Sequence, residues 1–156
     1  MKLIKPSFKI IGQQPGLEGL YKQIEMAGRT CYKSEDKITE DSAKEFVDRM
    51  IKSGHGAMLE HGTVYLYSPM QDVDTDDNGY VIYESKLDHY KYNKYSKFNS
   101  GYVTTNLRVL VENGWMDDLQ YLCEPTEYHE KRITVKFICD RGVSHEFVRH
   151  KILCVA

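Results

Sequence analysis

The chain is short of the features that mark several classes of protein. Its four cysteines lie far apart and form no Cys-x-x-Cys pair, which argues against a secreted disulfide framework and a zinc ribbon. No apolar run approaches the roughly 18 residues of a membrane-spanning helix. Charge and Pro6 interrupt the first residues, so we expect no signal peptide. These absences predict a cytoplasmic protein with reduced, mostly buried thiols and no membrane segment.

The sequence also lacks an excess of either charge. Its 156 residues hold 21 Lys and Arg against 23 Asp and Glu, a net charge of −2. This balance disfavours a polybasic nucleic-acid binder and an acidic tail. With 41% hydrophobic and 28% charged residues, the composition is typical of a folded domain of ordinary size.

Helical hydrophobic spacing occurs in four segments. The strongest is 41–53, where apolar residues from Ala43 to Ile51 follow the i, i+3, i+4, i+7 pattern of one helix face. Gly54 comes next and is typical of a helix end. The other predicted helices cover residues 16–28, 104–113 and 143–150.

β-branched and aromatic residues predict strands between these helices, at 63–67 and 133–139. Residues 76–79 (Asp-Asp-Asn-Gly) have turn composition, so we predict that the strand at 63–67 returns through 80–83. The turn is also close to a calcium loop, but Ser85 occupies the position that requires a bidentate glutamate. Helices around paired strands predict an α+β fold, an antiparallel sheet with helices packed against it, in a single domain.

Tyrosine is concentrated in residues 80–102, which hold six of the twelve and are interleaved with lysines. Aromatic rings among cations are typical of single-stranded nucleic-acid binding. A half-buried hairpin with a solvated lysine face gives the same pattern. We favour the hairpin, and expect no nucleic-acid partner, because the whole chain is negatively charged.

The end of the chain is basic. Residues 131–151 hold six Lys and Arg against two acidic residues, a local charge of +4. Cations on a strand and the following helix suit a phosphorylated ligand, although a solvated helix end explains them equally well. His145 and His150 are five residues apart, which is the wrong spacing for a zinc pair on one helix face, so we expect no metal.

A second candidate site lies at 54–61, between the strongest helix and the first predicted strand. It contains His55, Glu60 and His61. Segments that join rigid elements often carry binding residues. A lone histidine here would more often be structural, and two histidines and a glutamate in so short a stretch modestly raise the odds of a functional role.

Four segments in order carry a resemblance to a known family. They are Ala27–Tyr32, Gly54–His61, Thr105–Arg108 and Asp140–His150. In this order and spacing they resemble the flavin-dependent thymidylate synthases, also called thymidylate synthase-complementing proteins. The last segment leads into the family's Arg-His-Arg signature.

The resemblance implies FAD-dependent methylation of deoxyuridylate (dUMP) to thymidylate (dTMP), a methyltransferase step in nucleotide biosynthesis. In this family methylenetetrahydrofolate supplies the carbon, NADPH reduces FAD, and the reduced flavin supplies the hydride. Members are homotetramers that bind FAD and dUMP between subunits. The cofactor carries the difficult chemistry, and we assign no catalytic residue.

The resemblance also implies roles for particular residues. Lys151 stands in place of the third signature arginine and keeps its charge without the planar fork. Ala57 stands where the family has a hydroxyl residue that contacts FAD. The implied FAD-binding residues are His55, Ala57, Glu60, Arg149, His150 and Lys151. The implied dUMP-binding residues are Glu146, Phe147, Val148 and Arg149, with Arg149 at the phosphate.

The family continues past its signature into further motifs and helices that do not follow Lys151 here. We therefore expect residues 1–156 to be one domain that resembles the N-terminal part of the family and stops within the signature. Such a chain is expected to turn over weakly or not at all by itself. The alternative hypothesis is a degenerate, non-catalytic module for flavin or nucleotide binding or for assembly.

Overall fold

The computed structural model describes residues 5–147, which form five helices and seven strands. Short 3-10 turns lie in three of the connections between them. In chain order the elements are β1 (Ser7–Ile11), α1 (Gly16–Cys31), α2 (Ser42–Lys52), α3 (Gly56–Leu59), β2 (Thr63–Tyr67), β3 (Gln71–Thr75), β4 (Val81–Glu84), β5 (Lys97–Asn99), β6 (Tyr102–Asn106), α4 (Leu107–Asn113), β7 (Thr134–Ile138) and α5 (Arg141–Phe147).

One hydrophobic core joins the helices to the largest sheet. Leu20 of α1 and Val47 of α2 are fully buried, as are Leu66 of β2 and Val103 of β6. The predicted helices at 16–28 and 41–53 are confirmed, because their apolar stripes face this core. We call α1 to α4 with the sheet of β2, β6 and β5 the central body.

The strands form three separate antiparallel sheets, which confirms the predicted α+β class. The central sheet has the order β2-β6-β5. Strands β1 and β7 form a two-stranded ribbon in which Phe8 lies opposite Phe137. Strands β3 and β4 form a hairpin. We call the first the terminal ribbon and the second, residues 71–84, the acidic hairpin.

The predicted partner of the strand at 63–67 is wrong. The returning strand exists, as β4, but it pairs with β3, whereas β2 pairs with β6 over its whole length. The inward-facing residues of β2, Val64 and Leu66, are fully buried and lie opposite the buried Thr105 and Val103. Strand β6 thus supplies buried partners for this apolar face, whereas the residues of β4 stay exposed.

The predicted helix at 104–113 begins three residues late. Thr104 and Thr105 are β-branched and belong to β6, where they complete the central sheet. Asn106 then accepts a hydrogen bond from the backbone N–H of Val109 at 3.1 Å and caps α4. Gly114 ends the helix in the left-handed conformation, with φ of 71°.

The strand predicted at 133–139 is confirmed as β7, and the helix predicted at 143–150 begins two residues earlier, at Arg141. Residues 148–150 of that prediction lie outside the described residues.

The expectation of mostly buried thiols is wrong for the described cysteines. Cys31 is exposed, Cys123 and Cys139 are partly exposed, and all three are free.

The tyrosine-rich segment is divided among different environments. Tyr80 and Tyr83 are exposed on the acidic hairpin, whereas Tyr90 is fully buried in the core. Tyr92 is 91% exposed, and Tyr102 stacks on Tyr67 in the central sheet with ring centroids 4.4 Å apart. The segment is therefore neither a single aromatic surface nor the single half-buried hairpin that we predicted.

Candidate functional site

Three of the segments singled out in the sequence meet at one end of the central body. The C-terminal end of α1 brings Tyr32 to the start of α3, where its hydroxyl lies 3.2 Å from Nδ1 of His55. At the other end of α3, Glu60 forms an ion pair with Arg108 of α4. We call Tyr32, His55, Glu60 and Arg108 the α3 cluster. It joins residues that are up to 76 positions apart in the chain.

Arg108 links two carboxylates. Its Nη1 donates to Glu60, and its Nε donates to Oε1 of Glu112 at 2.6 Å, one turn along α4. These bonds, first to Glu112 and then to Glu60, raise the pKa of the guanidinium further. Gly56 allows the approach, because a Cβ built there would lie 3.0 Å from Nε of Arg108. The arginine thus fixes α3 against α4.

Arg29, in the first segment of the resemblance, has a structural partner. Its Nε and Nη2 both donate to Oε1 of Glu25 at 3.1 Å. The side chain of Glu25 is 1% exposed, and its second oxygen accepts from the hydroxyl of Ser42 at 2.9 Å. The guanidinium also lies 4.9 Å from the ring centroid of Phe46. A buried carboxylate needs such compensation, so Arg29 holds α1 to α2.

His61 lies next to the cluster and is half-buried. Burial lowers the pKa of its imidazole, and the nearby charge of Glu60 opposes that shift. This shift favours the neutral ring, which can donate from one nitrogen and accept at the other. A neutral His61 would bind a ligand by hydrogen bonds and not by attracting the charge of a phosphate.

The other residues implied by the resemblance lie apart or outside the described residues. Ala57 is exposed on α3 beside His55, and Glu146 is exposed on α5. Phe147 is the last residue of α5. Val148, Arg149, His150 and Lys151 lie outside the described residues.

The described residues do not form a flavin site by themselves. The methyl group of Ala57 offers no hydrogen bond, and Glu60 is committed to Arg108. His55 has Nδ1 engaged by Tyr32, which leaves Nε2 as the ring nitrogen for a ligand. The side chains of His55 and Ala57 are exposed. This arrangement supplies one wall of a site at most.

A cleft of the described structure lies elsewhere, and no sequence motif predicted it. Its volume is about 580 Å³, and it separates the start of α1 from the segment 122–132 that covers the outer face of the central sheet. Its walls include Tyr65, Cys123, His129 and Arg132. These residues carry no motif spacing, because only the fold brings 122–132 back over β2 and β6. None of the α3 cluster lines the cleft.

His129 fastens that covering segment. Its Nδ1 accepts from the backbone N–H of Thr126 at 3.0 Å, and its Nε2 donates to the carbonyl of Leu66 at 3.2 Å. The ring also packs edge-on against Tyr65 and Tyr102. Burial lowers the pKa of His129, and the bond to Leu66 opposes that shift. Both ring nitrogens are used, so His129 is a structural residue of the cleft wall.

Comparison with models of protein families, with curated proteins and with solved structures gives no match for this chain.

Across residues 5–147, no group of three His, Cys, Asp or Glu side chains is placed to hold a metal ion. The Asp76–Gly79 turn instead uses a carboxylate oxygen of Asp76 to accept from the backbone N–H groups of Asn78 and Tyr80. In the same part of the chain no helix has the length and apolar character needed to cross a bilayer.

Proposed function

We propose that this chain acts in the FAD-dependent methylation of dUMP to dTMP, with methylenetetrahydrofolate and NADPH as co-substrates, in the cytoplasm. The proposal rests on the resemblance to the flavin-dependent thymidylate synthases. One observation adds support. The α3 cluster joins segments of the resemblance that are remote in the chain, through the Tyr32–His55 hydrogen bond and the Glu60–Arg108 ion pair. Structural packing alone does not require an exposed histidine at this junction.

The described residues have positioning roles in this proposal. Tyr32 orients the ring of His55 and leaves Nε2 for the ligand. Arg108 holds Glu60 and α3 in place through a charge-assisted bond. FAD, when bound, supplies the redox chemistry. The nucleotide phosphate is assigned to Arg149, and contact with the nucleotide to Glu146, Phe147 and Val148. His150 and Lys151 complete the cation set for FAD, and the working form is a homotetramer.

FAD binding by the purified chain is the first test. The absorbance and fluorescence of added FAD should change on binding, and dUMP should raise the melting temperature. Tyr32→Phe removes only the hydroxyl that holds His55, and should weaken FAD binding about fivefold, equivalent to one hydrogen bond. Tyr92→Phe is the matched control, because its hydroxyl belongs to a 91% exposed side chain, and should have no effect.

Turnover is the second test. Tritium release from C5-labelled dUMP should depend on FAD, NADPH and methylenetetrahydrofolate. For the 156-residue chain we expect little release. Absence of both FAD binding and dUMP binding would reject the proposal. Binding without release, in a chain extended by any residues that the gene encodes after Ala156, would favour the non-catalytic alternative.

Ala57 gives that alternative its specific support, since an exposed methyl group replaces a hydroxyl at a position assigned to FAD. Ala57→Ser distinguishes the two functions. In a working flavin site the added hydroxyl should tighten FAD binding by about fivefold, again one hydrogen bond. In a degenerate module it should leave binding unchanged. Ser is compatible with the exposed first turn of α3, so the fold should not change.

A further inference from the structure

The junction between the terminal ribbon and the central body is open and is crossed by polar side chains. Phe8 and Ile10 of β1 are 69% and 62% exposed, so much of the apolar face of the ribbon lies in water in the described structure. Two clefts of about 580 and 310 Å³ meet at the base of the ribbon, and Gln13, Thr63 and Arg132 line both. The position of the ribbon therefore depends on the bonds that cross this junction.

Gln13 joins the ribbon to β2, which is an edge strand of the central sheet. It follows β1 by two residues, and its side-chain amide bonds twice to the main chain of Thr63. Its Oε1 accepts from the N–H at 2.9 Å, and its Nε2 donates to the carbonyl at 2.7 Å. A side-chain amide has the donor and acceptor of a peptide group. Gln13 thus pairs with the edge of β2 as the main chain of another strand would.

Arg132 makes the matching attachment from the other strand of the ribbon. It precedes β7 by two residues. Its Nη1 donates to the carbonyl of Thr105 in β6, and its Nη2 donates to the carbonyl of Tyr95, which lies just before β5, each at 3.2 Å. A guanidinium holds its donors in one plane, so the two bonds fix a direction as well as a distance.

The two attachments lie opposite each other at the base of the ribbon. The antiparallel register of β1 with β7, carried two residues past the end of β1, places Gln13 opposite Arg132. The register of β2 with β6 places Thr63 and Thr105 at the same end of the central sheet. We call Gln13 and Arg132 the ribbon clamp. Together they reach β2, β6 and the residues that lead into β5.

Lys136 adds a longer contact from β7 to the end of α1. Its Nζ donates to Oγ1 of Thr30 at 3.4 Å and lies 3.6 Å from Oε1 of Glu35. The side chains of Lys136 and Glu35 are 41% and 46% exposed, and exposed ion pairs contribute little. The shorter bonds of Gln13 therefore hold the ribbon more firmly than this ion pair does.

The ribbon leads directly into α5. Only Cys139 and Asp140 separate β7 from α5, and Oδ1 of Asp140 accepts from the backbone N–H of Val143 in the first turn of the helix at 3.0 Å. Helix α5 contains Glu146 and Phe147, to which the proposed function assigns contact with dUMP. A change in the angle of the ribbon would therefore move these residues relative to the α3 cluster, which lies on the central body.

We propose that the ribbon clamp positions α5 for nucleotide binding. Gln13 and Arg132 are positioning residues and touch no ligand in this role. They hold the ribbon at one angle to the central sheet, so that the dUMP residues of α5 keep one position relative to the α3 cluster. The inference rests on the proposed function for its ligand. The clamp itself consists of bonds within the chain and can be tested without a ligand.

Residual dipolar couplings of backbone amides, measured by NMR on the 15N-labelled chain, test the clamp. In the wild type one alignment tensor should describe the N–H vectors of the ribbon and of the central sheet. Gln13→Glu keeps the size of the side chain but replaces its donor with an oxygen that repels the carbonyl of Thr63. The couplings of the ribbon should then shrink relative to those of the sheet. Gln14→Glu makes the same change in the exposed neighbouring residue and should leave them unchanged.

Calorimetric titration with dUMP tests the consequence for binding. Gln13→Glu should raise the Kd for dUMP about tenfold, since two hydrogen bonds that hold α5 in position are lost. Arg132→Gln should act in the same direction. Lys131→Gln removes the same charge from the exposed neighbour of Arg132, without the two bonds to carbonyls, and should change the Kd by less than about twofold. The urea midpoint of each variant shows that the central body stays folded.

Two results would overturn the proposal. One is a Gln13→Glu variant in which the couplings of the ribbon keep their wild-type ratio to those of the sheet. The other is a ribbon that loses order while the Kd for dUMP stays at the wild-type value. Failure of the proposed function looks different, because the wild-type chain itself would then not bind dUMP. The nucleotide role of the clamp would fall with it, whereas the couplings would still show whether Gln13 holds the ribbon.

Discussion

The central body and the acidic hairpin are held together in different ways. In the body, side chains from four helices and a three-stranded sheet remove each other from water, as Leu20, Leu66 and Leu110 do. In the hairpin all residues stay exposed, and a turn maintained by Asp76 brings the strands together. Hydrophobic burial is the dominant favourable term in folding. We therefore expect the body to supply most of the stability of the chain and the hairpin to add little.

The largest difference in stability between variants should come from removing the partner of a buried charge. Arg29→Ala leaves the carboxylate of Glu25 buried without its partner, and should lower the free energy of unfolding by about 3 to 5 kcal/mol. Arg49→Ala is the matched control, because Arg49 pairs with Glu45 on the exposed side of α2. It should change stability by less than about 1 kcal/mol. Urea denaturation measures both, and equal losses would contradict the buried role of Arg29.

Apolar residues should show the same contrast. Leu59 is 1% exposed, and Leu59→Ala should cost about 2 to 5 kcal/mol through lost burial and the cavity left behind. Ile10→Ala removes a side chain of the terminal ribbon that is 62% exposed, and should cost less than about 1 kcal/mol in the monomer. Denaturation at low protein concentration tests this. A loss at Ile10 as large as that at Leu59 would mean that the ribbon is part of the folding core.

Two glycines with positive φ extend the comparison to the backbone. Gly114 ends α4 with φ of 71°, and Gly79 closes the acidic hairpin with φ of 84°. An added Cβ meets no atom within 4 Å at either position, so only backbone strain differs from wild type. Gly114→Ala should lower global stability by about 1 kcal/mol. Gly79→Ala should speed amide exchange in residues 71–84 while the unfolding midpoint stays constant. A shift of that midpoint would show that the hairpin unfolds with the body.

The smallest effect concerns pH and the segment 122–132. The pKa of His129 is lower in the folded chain than in the unfolded chain because the ring is buried. The unfolded chain therefore takes up the proton first, and stability should fall as the pH drops from about 7 to about 5. His129→Gln should reduce this dependence, leaving the part due to His61, whose pKa shifts in the same direction.

His145→Gln is the control for this experiment. His145→Gln replaces an exposed histidine of α5 that lies outside the segment 122–132, so it should not reproduce the effect of His129→Gln. Denaturant titrations at several pH values give the slopes. Equal slopes for wild type and His129→Gln would mean that the covering segment opens without loss of stability.

Local patterns predicted the elements better than their partners. The stripe from Ala43 to Ile51 identified α2, because one apolar face has to meet the core wherever that core lies. The strand at 63–67 was equally clear, yet its partner was misassigned. A turn at 76–79 shows where the chain reverses, but it does not show which strand it returns to. The boundary at Asn106 was missed because Thr104 and Thr105 had to complete a sheet that only tertiary contacts reveal.

The candidate site shows the same division. The sequence singled out His55 and Glu60 together at 54–61, and Arg108 only within a segment of the resemblance. The fold joins the two segments through α3 and α4. Arg29 was noted only as part of a motif, and its role in compensating buried Glu25 is visible only once α1 and α2 are packed. The cleft walled by Tyr65 and His129 gave no sequence signal, since its walls come from segments more than 60 residues apart.

The sequence by itself determined the helix stripes, the tight turn at 76–79 and the contrast between an acidic hairpin and a basic terminal segment. These depend on periodicity, on turn chemistry and on charge, which are properties of neighbouring residues. Tertiary structure alone decided that β2 pairs with β6 and that Arg29 faces a buried carboxylate. It also decided that apolar side chains of the terminal ribbon and the acidic hairpin remain exposed to water. Those outcomes depend on which distant parts of the chain come into contact. The residues that bury each other are far apart in the sequence, at spacings that follow no pattern.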